Sequence, residues 1–368
     1  MKWGVAIIVT VIAAGGLAYG TLAARNSDEN SPAINESTRN EDPSKNEGTK
    51  EAIPTAKLIS GIAHVWQTFN NCSSVGLLMA LSRWGISETQ ERIAEATRPW
   101  NNPRGDNDDK SVTLYELAEY ARDRHDMLTY VRPNGDIELL KRFIANDIPV
   151  LARALMLPND DIVHYRLVHG YDDQKKIVIE SDGIEGANQT YTYDEWMKLW
   201  KDFNYSYVIV VPPEKKELVE TLLGVNASEK AAWENAKKRA ENELSKNPGD
   251  ARAQYNVVTA LYYLGDYAGS VREFEKIEKS LTKRKLWYQM EPIDAYFQLG
   301  KYDRVIELSD SVITNNNRAV SELYVLKGKI YESRGDIAAA RAEYEKALQY
   351  HKYLQSAKGA LAALKTTD

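Results

Sequence analysis

Trp66-Gln67-Thr68-Phe69-Asn70-Asn71-Cys72-Ser73-Ser74-Val75-Gly76-Leu77-Leu78-Met79-Ala80-Leu81-Ser82-Arg83-Trp84-Gly85 runs from a polar loop into a stretch that is apolar on every side. A surface helix keeps a polar face at the 3.6-residue period. Val75 to Leu81 has none, which predicts a helix buried all round, with Gly85 at the left-handed position that ends it. Cys72 stands at the start of that helix. A helix start offers unpaired N–H groups and a partial positive charge, and both favour a thiolate over a thiol. A lone buried cysteine is otherwise an inert small apolar side chain, so its neighbours decide what Cys72 can do. Gln67, five residues upstream, can bring a side-chain amide to the same spot. With the Cys72 backbone N–H it would form a hole for an oxyanion.

Outward from this stretch the pattern is helices, then strands. Ser87-Glu88-Thr89-Gln90 reads as a capping box opening a second helix that stops before Pro99. Thr113-Leu114-Tyr115-Glu116 opens a third, with Leu114, Leu117, Tyr120 and Ala121 on one face, and Asp136 caps a fourth through Leu139, Leu140 and Phe143. After Pro149 come four strand-like runs: 150–155, 164–171, 176–180 and 207–211. The turn signals between them (Asn159-Asp160-Asp161, Asp172-Asp173, Asp182-Gly183) suit antiparallel pairing, and helices followed by a meander give an α+β domain. His164 and His169 are five apart on one strand and so face opposite sides. His164, at the strand's start, is the one placed for a cleft; His169 is expected to meet solvent or a polar core neighbour. The same spacing, without a cysteine cluster, argues against a metal site. Asp182 ends the next strand and can orient an imidazole, although Asp-Gly is also a turn former. Asp160, Asp161, Asp172 and Glu180 are weaker carboxylate candidates.

These motifs resemble the C39-like papain-fold cysteine peptidases. The likeness covers roughly 58–212: Gln67…Asn70-Asn71-Cys72, Leu78 to Gly85, Ile148-Pro149-Val150, and His164-Tyr165-Arg166-Leu167-Val168-His169-Gly170-Tyr171-Asp172-Asp173. The resemblance implies a papain-like domain with Cys72 as nucleophile, His164 as general base, Asp182 as the orienting acid and Gln67 as oxyanion donor. No cofactor and no metal are implied, and the substrate would be a peptide or protein. Ser73 stands where the family usually has a glycine after the nucleophile. A non-catalytic peptide-binding module on the same fold, or an interaction scaffold whose active surface is a tetratricopeptide array, is the alternative.

The C-terminal third repeats. Leu264-Gly265-Asp266-Tyr267, Leu299-Gly300-Lys301-Tyr302 and Arg334-Gly335-Asp336-Ile337 recur every 35 residues, close to the roughly 34 of tetratricopeptide repeats. The third unit is the clearest, with Gly328, Tyr331, Gly335, Ala340, Tyr344 and Ala347 at that repeat's small and aromatic positions; Ser270 and Val305 stand where Ala is expected in the first two. An all-α domain of about three repeats is expected over 214–368, with bridging helices at 214–246 and a capping helix at 351–365. The array either packs on the preceding domain or offers a groove to a protein or peptide partner.

The N-terminus sets the expected compartment. After Lys2, residues 3–24 are uncharged and apolar, which predicts a transmembrane signal anchor or a cleaved signal peptide. Residues 25–52 are polar and read as a disordered tether, and the peptidase-like domain spans 53–213. The folded part is therefore expected outside the cell membrane, attached by a single-pass helix or secreted. With 47 Lys+Arg against 53 Asp+Glu, the net charge of −6 gives no basic excess and argues against nucleic acid as a partner. One cysteine in 368 residues excludes an intrachain disulfide framework.

Overall fold

The computed structural model describes residues 53–100, 110–282, 284–315 and 317–365. The expected membrane or signal segment and the tether lie outside them. Among the described residues no helix is long and apolar enough to cross a membrane.

The elements run β1 (Ala56–Leu58), α1 (Cys72–Ser82), α2 (Gln90–Thr97), α3 (Leu114–His125), β2 (Leu128–Arg132), α4 (Ile137–Ala145), β3 (Val150–Leu155), β4 (Val163–Asp172), β5 (Ile177–Asp182), β6 (Gly186–Thr192), α5 (Tyr193–Trp200) and β7 (Tyr207–Val211). The strands form an antiparallel sheet in the order β2-β7-β3-β4-β5-β6, and β1 pairs with β4 where β3 has ended. Helices α1, α3 and α4 supply a core with the sheet's Leu151, Tyr165, Leu167 and Val208. Each such fully buried side chain contributes about 2 kcal/mol of apolar transfer.

Helix α1 is buried from Ser73 through Leu81, as its sequence requires. Gly76 is what lets it lie flat. A Cβ there would stand 2.7 Å from Leu151 Cδ1 and 3.4 Å from Tyr165 Cβ. A side chain at 76 would have to displace the end of the Leu151 side chain on β3.

The capping predictions hold at Thr113, which forms a full capping box with Glu116, and at Asp136, which accepts the Leu139 N–H. At the second helix the sequence reading needs correction. Thr89 is the cap, accepting the Arg92 N–H, and α2 starts two residues later than the Ser87 box implied. Gln90 is thereby freed to hold the loop before Cys72.

The helical region continues with α6 (Lys216–Leu223), α7 (Glu229–Lys246), α8 (Ala251–Tyr263), α9 (Tyr267–Glu275), α10 (Lys285–Tyr288), α11 (Glu291–Gln298), α12 (Tyr302–Thr314), α13 (Ser321–Ser333), α14 (Ile337–Tyr350) and α15 (Gln355–Lys365). Gly265, Gly300 and Gly335 turn the chain between the two helices of successive repeats. Their φ values of 81°, 69° and 78° explain why the period is written in glycine. At Gly328 the ring of Tyr344 packs directly on the backbone.

The repeats pack on the sheet domain. Asn256 of α8 accepts the Asn204 N–H at 3.1 Å and donates to the Lys201 carbonyl at 2.8 Å. Tyr263 stacks on Tyr115, whose hydroxyl donates to Glu229 at 2.7 Å. Glu322 of α13 takes the ammonium of Lys110. Arg153 of β3 donates to the Tyr288 carbonyl at 2.9 Å, and Tyr353 reaches Glu95 of α2 at 3.0 Å.

Candidate active site

Cys72 is half-buried at the first position of α1. An asparagine before a helix ordinarily spends its side chain on the first-turn N–H groups. Asn71 makes no such bond. Its Nδ2 donates to Thr68 Oγ1 at 2.7 Å, and its Oδ1 accepts from Arg98 Nη2 at 3.1 Å. The amide ends of α1 are thus left to the thiol, which takes the Ser73 N–H. The loop itself is pinned by Gln90, whose Oε1 accepts the Thr68 N–H at 2.9 Å and whose Nε2 donates to the Trp66 carbonyl at 3.2 Å. Arg98 adds a second tie, to the Phe69 carbonyl at 3.2 Å.

The structure brings Cys72, His164 and Asp182 together. Burial alone would push the Cys72 thiol up. A hydrogen bond with His164, the charge of that imidazolium, the Ser73 N–H and the Arg98 guanidinium outweigh burial and hold it below its usual value. Burial disfavours the His164 imidazolium in turn, but Asp182 and the Cys72 thiolate overcome it and raise His164 to about 9. Its Nε2 lies 3.2 Å from Asp182 Oδ2. That contact is short in distance but poorly aligned as a hydrogen bond, so attraction between charges carries it. Asp182 is fully buried and is nonetheless lowered to about 2. Burial opposes this; His164, the Glu185 N–H and Arg166 more than offset it. The Asp182 carboxylate is fixed from the other side by the N–H groups of Ile184 and Glu185, each 2.6 Å from Oδ1.

Gln67 sits beside this constellation. Its backbone N–H donates to the Gly183 carbonyl at 2.9 Å, and its Oε1 is buried without a partner. A Cβ on Gly183 would stand 2.7 Å from Gln67 Cβ, so only glycine admits the loop this close. His169 stands apart, as its spacing predicted: Nε2 meets Ser181 Oγ at 2.9 Å, and burial lowers its pKa to about 4. Asp160 and Asp161 lie on the β3–β4 connection, where Asp161 pairs with Arg284, and Asp172 pairs with Lys175.

The reading of residues missed Arg166. It is fully buried, and its Nη1 reaches Glu180 Oε1 at 2.7 Å, Asp182 Oδ2 and Glu185 Oε2 at 2.9 Å, and the Tyr191 hydroxyl at 3.0 Å. Glu180, Asp182 and Glu185 lie close enough together to hold a cation, and this guanidinium fills that role. Burial raises Glu180 to about 8, with Asp182 reinforcing the rise and Arg166 opposing it. The available signal was spacing: Arg166 is two residues from His164, and Glu180 two from Asp182, so each pair shares a strand face.

Residues 57–210 match the Peptidase_C39 like family. Residues 321–350 match a tetratricopeptide repeat family. Among solved structures, a C39-like peptidase from Bacillus anthracis is 16% identical, with 42% of this chain and 97% of that one covered and a TM-score of 0.36. The peptidase domain of Streptococcus ComA, a bifunctional ABC transporter involved in quorum sensing, is 15% identical over 41% of this chain and 98% of its own, with a TM-score of 0.33. A tetratricopeptide repeat protein from Thermus thermophilus is 21% identical over 41% of this chain and 82% of its own, with a TM-score of 0.31. A search of curated proteins found no match.

Proposed function

We propose that the C39-like domain is a cysteine peptidase with Cys72 as nucleophile. The observation that supports this best is a half-buried thiol at a helix start whose pKa a buried imidazole lowers, that imidazole standing 3.2 Å from a buried carboxylate. The thiolate attacks a peptide carbonyl, and the Cys72 N–H with the Gln67 side-chain amide receives the oxyanion. His164 gives its proton to the leaving amine, whose departure leaves a thioester on Cys72. His164 then takes a proton from water as the water attacks that thioester. The acid product leaves, and the thiolate–imidazolium pair is restored. Asp182 keeps the imidazole oriented and stabilises its charge. The repeats supply a protein-binding surface beside this activity.

The test is incubation of the purified protein with a peptide library and with a thiol-directed peptidyl electrophile, with mapping of cleavage sites and adducts by mass spectrometry. Cleavage and a Cys72 adduct are expected, and Cys72→Ala should lose both. Labelling of Cys72 no faster than a free-cysteine peptide, without cleavage, would overturn the reading in favour of a non-catalytic peptide-binding domain.

We also propose that the folded part works outside the cytoplasm, on the strength of the apolar 3–24 stretch. Protease added to intact cells should release a fragment beginning between about 26 and 52; protection until lysis would refute export. A mature N-terminus near Ala24 in culture supernatant would identify a cleaved signal peptide.

A further inference from the structure

We infer that Arg166 is a positioning residue that locks the orienting acid and the oxyanion loop into one rigid unit, by gripping both ends of the 182–186 turn. This rests on the peptidase reading above.

The turn has two working sides. On one side Asp182 Oδ2, the oxygen that faces His164 at 3.2 Å, is also the oxygen that accepts from Arg166 at 2.9 Å. On the other, the Gly183 carbonyl accepts the Gln67 N–H at 2.9 Å, and the Asp182 carbonyl takes His64 Nε2 at 2.8 Å. Gly183 has no room for a side chain against Gln67, and the Trp66 ring lies over Gly186. A displacement of this turn therefore moves the carboxylate and the Gln67 loop together.

Arg166 controls that displacement. Its guanidinium holds Asp182 at the start of the turn and Glu185 near its end, at 2.9 Å each. Tyr191 of β6 donates its hydroxyl to the same Glu185 oxygen. The other arm, Nη2, donates to the Met156 carbonyl at 2.9 Å, which ties the turn to the end of β3. A buried arginine needs one well-placed carboxylate to offset the loss of hydration. This one has two, Asp182 and Glu185, and both belong to the turn. Nη1 carries both turn carboxylates and Nη2 the Met156 carbonyl, so a lysine ammonium, a single point donor, loses the tie between the turn and β3.

The groups that face Arg166 are His164 of β4, Glu180 and Asp182 of β5, Glu185 of the turn and Tyr191 of β6. Its own charge opposes protonation of His164 and favours ionised Asp182. Replacing it thus alters the catalytic pair's titration as well as the turn's position.

The experiment compares Arg166→Lys, Arg166→Met and Glu185→Gln with the parent protein in two assays: peptide turnover, and iodoacetamide alkylation of Cys72 across pH 4–10. Alkylation is a direct displacement that needs no oxyanion hole. Glu185→Gln, which releases the far end of the turn while Arg166 still holds Asp182, should lower kcat about tenfold with KM within threefold and shift the alkylation profile less than Arg166→Met does. Both Arg166 variants should lower kcat about tenfold to a hundredfold, and Arg166→Met, which removes the charge, should also shift the alkylation pH profile. A charge-only role predicts that Arg166→Lys rescues turnover, which would overturn the proposal. So would a folded Arg166→Met with parental turnover and profile, or Glu185→Gln with parental kcat. If Arg166→Met fails to fold, the other two variants decide. If the parent alkylates Cys72 rapidly but cleaves no peptide, the peptidase reading fails. A parental alkylation profile in folded Arg166→Met would then also overturn the positioning role.

Discussion

His164→Ala tests the thiolate–imidazolium pair directly. In the intact site the imidazole is raised from 6.5 to about 9, which at 1.36 kcal/mol per pH unit favours its charged form by about 3 kcal/mol. The charge and the hydrogen bond that His164 lends are the main forces holding the Cys72 thiol below its ordinary 9.0. Without them, burial is opposed only by the Ser73 N–H and Arg98. A thiol at 9.0 or above is at most about 1% ionised at pH 7. Against a parent fully ionised at pH 7, as the proposed mechanism requires, thiolate population alone slows alkylation by about a hundredfold. The more basic thiolate is intrinsically more nucleophilic and returns part of this, so a loss of at least tenfold is the expectation. The assay is the second-order rate of iodoacetamide labelling from pH 4 to 10, with circular dichroism to show that the variant is folded. The parent should give one acid limb and a plateau through neutrality. Its peptide turnover should instead fall as pH rises through about 9, where His164 loses the proton owed to the leaving amine. Labelling of folded His164→Ala within threefold of the parent at pH 7 would refute the reasoning.

Gly183→Ala places a methyl 2.7 Å from Gln67 Cβ and 3.1 Å from the Gln67 backbone nitrogen; kcat should fall about tenfold or more while iodoacetamide labelling of Cys72 stays within twofold. Glu180 is raised from 4.5 to about 8 in the fold, so the folded state binds its proton more tightly and stability drains away as pH climbs between those values. Glu180→Gln should therefore melt like the parent near pH 4 and several degrees higher at pH 8–9, and equal melting at both would show that the carboxyl is not held protonated. His164 acts in the same window with the same sign, present below pH 6.5 and lost through about 9, but is common to both proteins. Gly328→Ala drives a methyl into the fully buried Tyr344 ring and should cost about 1–3 kcal/mol in denaturant unfolding.

What the sequence displayed was whatever is written locally. β3, β4 and β7 were readable because they are dense apolar runs, and the repeats because Gly265, Gly300 and Gly335 meet a backbone requirement no other residue meets as readily. β1 and β6 escaped notice, one being three residues long and the other, Gly-Ala-Asn-Gln-Thr-Tyr-Thr, a largely polar edge strand. Gln90 looked like half of a capping box, because its true partners at 66 and 68 belong to a distant loop. Cys72, His164 and Asp182 could be ranked from chain order and strand faces. Arg166 could be placed on the His164 face by its spacing, but not in its role, since its carboxylate and hydroxyl partners lie at 180–191 and meet it only when β5 and β6 fold across β4.

The seating of the repeats on the sheet domain has a consequence for molecular recognition. Asn256, Tyr263 and Glu322 come from the first helices of their repeats and already grip Asn204, Tyr115 and Lys110. That occupant is tethered to the same chain, so its effective concentration is on the order of millimolar or higher. A free partner aiming for those residues competes against it at every moment. Only a very tight ligand can pry the two halves apart there.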